Sequence, residues 1–168
     1  MIKHWQVFLV YLAAFLLQPF LQNLVPIIGN NVNLVLCLTV MLVFIDEDPG
    51  QGIFFGSIAT LFTDLFYGAY TGPGVLAIAL TGIAVYVLKY FVHVENFANA
   101  ILFMIGTTLL YASLYWGIYA MIGTTYSYGY AISHIGLQFV MNTLVGLCAY
   151  FILLRKAIQH KRKDRYYR

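Results

Sequence analysis

From the first residues to about position 154, this chain is a succession of apolar runs of membrane-spanning length, broken only by short polar turns. That pattern decides the class. The sequence is 168 residues long, 62% hydrophobic and only 9% charged, whereas a water-soluble domain usually carries about 25% charged residues. No polar stretch is long enough to hold a soluble domain. The expected fold is an all-α integral membrane protein, a bundle of six transmembrane helices.

The six expected spans run at about 5–21, 32–45, 52–70, 74–92, 97–122 and 130–154, forming one transmembrane domain over 1–154. Lys3 followed by an apolar core opens like a secretory signal, but "QPFLQNLVP" offers no small-residue cleavage site, so the segment reads as a retained first helix. No internal repeat is visible.

Charge sets the orientation. Of nine Lys and Arg, seven lie in the final "RKAIQHKRKDRYYR". Lys3, Lys89 and this tail, 155–168, fall on one side of a six-span chain, and the connections after spans one, three and five hold no Lys or Arg. The positive-inside rule then places both termini in the cytoplasm. Arg155, Lys156, Lys161, Arg162, Lys163 and Arg165 are expected to meet anionic lipid headgroups, at about 1 kcal/mol per residue near the surface. The tail is too short to read grooves or stack bases, so nucleic acid is not expected as a partner.

The run "DEDPGQG" gathers three acids, but helix capping explains it: Asp48 suits an N-cap, Pro49 the first turn and Gln51 a capping partner. Cys37 and Cys148 show neither metal-ligand spacing nor a disulfide framework. Intramembrane chemistry finds no support. Only one acid lies inside a span, Ser57 and His134 belong to opposite ends of their helices, and His4, His93, His134 and His160 are scattered. Neither an enzyme, a metal nor a cofactor is expected.

That single acid is Asp64, in "GSIATLFTDLFYGAYTGPG". It lies about 12 residues, or about 18 Å, into the third span, where a carboxylate costs about 2.5–3.5 kcal/mol on insertion scales and needs a partner. Lys89, near the other end of the fourth span, is at the wrong depth. His134, Gln138 and Asn142 recur every four residues and form one polar stripe on the last span. The expectation is a buried cluster of Asp64 with Gln138 or His134, supported by Thr60 or Thr63. One turn apart upstream, Gly52, Gly56 and Thr60 form a small-residue stripe that permits close helix packing.

The stretch "GQGIFFGSIATLFTDLFYGAYTGPGVLAIAL", residues 50–80, resembles the signature region of the rod shape-determining protein MreD family, in which a glycine-spaced helix leads to an Asp-Leu pair, a Gly-containing turn and another helix. The first span with Gln18, the basic tail, the span count and the length are similar as well. Thr60 stands where a third glycine would be expected. The resemblance implies a non-enzymatic bacterial plasma-membrane scaffold of the cell-elongation machinery. Its implied partner is MreC, a single-span protein, and through it the penicillin-binding transpeptidase, the elongation polymerase and actin-like filaments. It also implies a helix arrangement resembling the substrate-binding subunits of energy-coupling-factor vitamin transporters. Such a subunit is the alternative reading, although Ala13 and Ala14 do not form the A-x-x-x-A docking pattern many of those subunits carry.

Overall fold

The structure is a computed structural model. It describes residues 4–166 except Asn30, Glu47, 93–95, Thr124, Thr125 and His134, with side chains through Leu154 apart from that of Ile28. The described residues form helices and turns, with no strand. In chain order the helices are α1 (His4–Leu24), α2 (Pro26–Gly29), α3 (Leu34–Ile45), α4 (Pro49–Tyr67), α5 (Pro73–Leu88), α6 (Phe97–Ile122), α7 (Tyr128–Ser133) and α8 (Gly136–Tyr166). A 3-10 turn, Lys89–Phe91, follows α5.

These bounds track the apolar runs, with three departures. The sixth run divides into the single turn of α7 and the long α8, and α8 carries the backbone of the basic tail onward as helix to Tyr166. The second run yields only the 12 residues of α3, because residues 26–29 form a short helical turn and 31–33 a polar connection. The first helix, with Pro19 inside it, runs on to Leu24, three residues past the expected end.

Four segments are long and apolar enough to cross a membrane: His4–Leu24, Pro73–Phe91, Phe97–Ile122 and Gly136–Leu154. Helix α3 is as apolar but shorter, and α4, though 19 residues long, carries Gln51, Thr60, Thr63 and Asp64. The outside of the bundle is greasy: Leu16, Phe20, Phe54, Phe66, Leu102 and Ile152 are all exposed. Continuous apolar surface of this extent is unfavourable in water and natural in hydrocarbon.

The shortest long helix is the centre. Helix α3 packs against α1, α4, α5, α6 and α8, and Leu36, Cys37, Val40, Met41, Val43 and Phe44 are essentially inaccessible. Around it close Ile78 and Val85 of α5, Ala100 and Met104 of α6, and Tyr150 of α8. A helix enclosed on all sides needs no polar face, which is why nearly every α3 residue is apolar.

Close approach at α3 is made by the glycines of α4. A Cβ at Gly56 would collide with the Thr39 side chain, and one at Gly52 would come within 2.9 Å of Val43. Tyr11 of α1 ties the crossing together: its hydroxyl is 2.9 Å from Thr39 Oγ1 and donates to the Gly52 carbonyl at 3.0 Å. The stripe of Gly52, Gly56 and Thr60 is therefore an intramolecular seam, with Thr60 continuing it against Gly74 of α5.

Two ends of the bundle can be told apart. At one, Lys89 Nζ donates to the carbonyls of Val43 and Asp46 at 3.1 and 2.9 Å, placing a cation on the C-terminus of α3. Asp48 caps α4 there, accepting from Gly50 N at 3.2 Å and from Gln51 Nε2 at 3.0 Å. The other end holds Asp64, the start of α3 and the start of α5.

Candidate functional site, a polar cavity at the Asp64 end

Helix α5 starts with Pro73-Gly74, and its N-cap is Gly72, whose φ of 116° suits a residue without Cβ. Glycine supplies no capping side chain, so the first amides of α5 need an acceptor from elsewhere. Asp64 is that acceptor. Its Oδ2 accepts from Gly72 N at 3.0 Å and Gly74 N at 2.9 Å. The backbone carbonyl of the same residue accepts from Gly68 N at 3.0 Å, closing the end of α4. One residue thus finishes one helix and begins the next. A carboxylate at a helix start also meets the positive end of the helix dipole.

Of the two expected partners of Asp64, Gln138 is not bonded to it: among the described residues the Asp64 carboxylate accepts from two backbone amides instead. The Thr60 and Thr63 hydroxyls donate within their own helix, to the carbonyls of Gly56 and Ala59. His134 lies outside the described residues. The reason is distance along the chain. The turn between α4 and α5 returns the amides of 72 and 74 onto the last turn of α4, so a partner eight residues away arrives before α8 does.

A cavity of about 410 Å³ opens beside this capped turn. Thr60, Thr63, Asp64, Gln138 and Asn142 all line it, so the structure gathers the described part of the expected cluster around a space rather than into direct contact. Helix α6 adds Tyr111, Tyr115 and Trp116, and the region after it adds Tyr126 and Tyr130. Tyr111 and Tyr115 stack with centroids 5.8 Å apart, and Trp116 Nε1 donates to the Tyr126 carbonyl at 3.1 Å. Five aromatic side chains thus line the pocket.

The cavity floor is the start of α3, held by three amide side chains. Asn33 is its N-cap, with Oδ1 accepting from Leu36 N at 2.9 Å. Gln18 of α1 accepts from Leu34 N at 3.0 Å, while its Nε2 donates to the carbonyls of Gly29 and Val32 at 3.0 and 2.8 Å. Asn142, 2% exposed, accepts from Asn33 N at 2.8 Å and donates to Thr108 Oγ1 at 3.4 Å. The Cys37 thiol donates to the Asn142 carbonyl at 3.4 Å, a structural use of that cysteine. Asn142 therefore serves α3, whereas the stripe had pointed it toward Asp64. Gln18 and Asn33 were not read as site residues. Their signal was a Gln set among the apolar residues of α1 and an N-cap residue before the run at Leu34.

Chemically, the site offers one carboxylate, carboxamides, threonines and aromatic walls. Among the described residues no group of three or more His, Cys, Asp or Glu has a metal-binding arrangement. Polar groups converging on an aromatic-lined space of this volume match the character of small-molecule sites, which span roughly 300–1,000 Å³. Scans against protein-family models, curated proteins and solved structures each found no match to this chain.

Proposed function

We propose that the protein is a non-enzymatic membrane scaffold of the bacterial cell-elongation machinery, similar to the MreD family in the region 50–80. It sits in the plasma membrane with six spans and both termini in the cytoplasm, and it binds an MreC-like single-span protein. Through that partner it supports cell shape and peptidoglycan synthesis by the transpeptidase, the polymerase and the actin-like filaments.

The observation that carries this reading is the use of Asp64. The acid at the heart of the resemblance region joins α4 to α5 by capping backbone amides, which makes the segment a rigid elbow. Architecture of this kind suits a protein whose task is to present a fixed surface. Six spans are supported by the direction of the long helices, which alternate between the Lys89 end and the Asp64 end. They are also supported by the enclosure of the short α3 within the other five. Non-helical backbone before α3 lies among protein side chains beside the cavity, the setting in which a membrane tolerates it. With the basic residues inside, the cavity faces outward.

A second reading has its own observation. The aromatic cavity suits a small ligand, as in the substrate-binding subunits of energy-coupling-factor transporters, whose helix arrangement this bundle is proposed to share. Affinity purification in mild detergent separates the two. The scaffold reading expects an MreC-like coiled-coil protein in the eluate and no bound vitamin. Paired ATPases in the eluate, or a bound vitamin seen by native mass spectrometry, would replace it with the transport reading.

A further inference from the structure

The described lining of the cavity holds one acidic side chain and no basic one. Asp64 is the only Asp, Glu, Lys or Arg among those residues. Its Oδ2 is engaged by two amides, while among the described residues Oδ1 receives no hydrogen bond, and the side chain lines the cavity. Most of the neighbouring amides are already occupied: Gln18, Asn33 and Asn142 hold the start of α3. What remains to greet a ligand is the carboxylate, the amides of Gln22 and Gln138, and an aromatic wall. Tyr111 and Tyr115 line the same cavity as Asp64. An aromatic face attracts a cation through its quadrupole, and more strongly where water is thinned out. A carboxylate beside stacked tyrosines is a poor host for an anion and a good one for a cation with apolar flanks.

We propose that the cavity is a site for an organic cation, an ammonium or guanidinium group bound at Asp64 Oδ1 with its carbon flanks against Tyr111 and Tyr115. This goes beyond the scaffold reading and does not depend on the partner's identity. The same chemistry arrives either as a free quaternary amine or as a basic side chain of another chain.

Trp116 lines the cavity, so its fluorescence reports occupancy in purified protein held in a neutral detergent. Choline is titrated against 3,3-dimethylbutanol, its uncharged carbon isostere. In a parallel arm, N-acetyl-arginine amide is titrated against N-acetyl-citrulline amide, the neutral counterpart. The expected result is at least tenfold tighter binding of the charged member in one arm. Discrimination in the choline arm points to a free amine, and in the arginine arm to a side chain. Asp64→Asn, which keeps an oxygen for the α5 amides, should reduce the preference to within twofold. Tyr115→Leu, which leaves the cap untouched, should weaken the preferred cation at least threefold and serves if the Asn variant does not fold. Equal binding of charged and neutral members in both arms, no binding of either cation, or preference unchanged in both variants would overturn the proposal. Co-purification with an MreC-like protein would be unaffected by any of these failures.

Discussion

Helices α4 and α5 begin with the same two residues, Pro-Gly, and each start is capped by an aspartate. At α4 the acid is adjacent: Asp48 is the N-cap itself, exposed, with one backbone-amide bond of 3.2 Å beside the 3.0 Å bond from the Gln51 side chain. At α5 the acid comes from eight to ten residues back, is 7% exposed and accepts two amides at 3.0 and 2.9 Å. The chemistry is shared and the surroundings are not. Water can replace Asp48 as acceptor, but it reaches the start of α5 poorly. Loss of Asp64 would strand two donors where an unmet hydrogen bond costs about 1–3 kcal/mol. The same pairing is therefore a minor trim at one end of the bundle and a structural joint at the other.

The sharpest way to break that contrast is Asp64→Leu, which removes both bonds. It should cost about 3 kcal/mol or more, seen as a large fall in thermal midpoint in detergent. A midpoint equal to wild type would show that the joint is not structural. Asp64→Asn, keeping one acceptor oxygen, should lose about half as much.

Next in size is Gly74→Ala. Its new methyl would meet Asp64 Oδ1 at 2.5 Å and Thr60 Cγ2 at 2.8 Å, and overpacking of this kind costs about 1–3 kcal/mol. Asp48→Ala should cost about 1 kcal/mol, the usual loss of an exposed cap. A larger effect than that of Asp64→Leu would reverse the ranking of the two ends. Smallest is Gly50→Ala, whose methyl meets only the movable Asp48 carboxylate at 3.2 Å. Alanine's better helix propensity, about 0.5–1 kcal/mol over glycine, should leave stability within about 0.5 kcal/mol of wild type.

The two caps also show why one part of the site was readable and another was not. Asp48-Pro49-Gly50-Gln51 is a local signature, since donor and acceptor are neighbours in the chain. The Asp64 pairing needs the path of the turn between α4 and α5, which periodicity does not encode. A four-residue stripe on α8 places Gln138 and Asn142 on one helical face. It does not say which element that face meets, and Asn142 was met first by Asn33 and Thr108. Gln18 shows the converse, a polar residue within an apolar helix whose three bonds all run to the 29–34 segment.

From its order of residues alone, the chain settled that it would be helical, that it would hold several helices apolar enough for a membrane, and where most of them begin and end. Those outcomes follow from apolar run length and from Gly, Pro and Asp at the turns, properties that act over a few residues. The tertiary structure decided that the shortest of the six long helices is the hub, that the glycine stripe faces α3, and that the polar residues surround a cavity. Each of these depends on which helix lies beside which. That arrangement comes from packing between segments dozens of residues apart, where shape and hydrogen-bond geometry choose among faces that look alike in sequence.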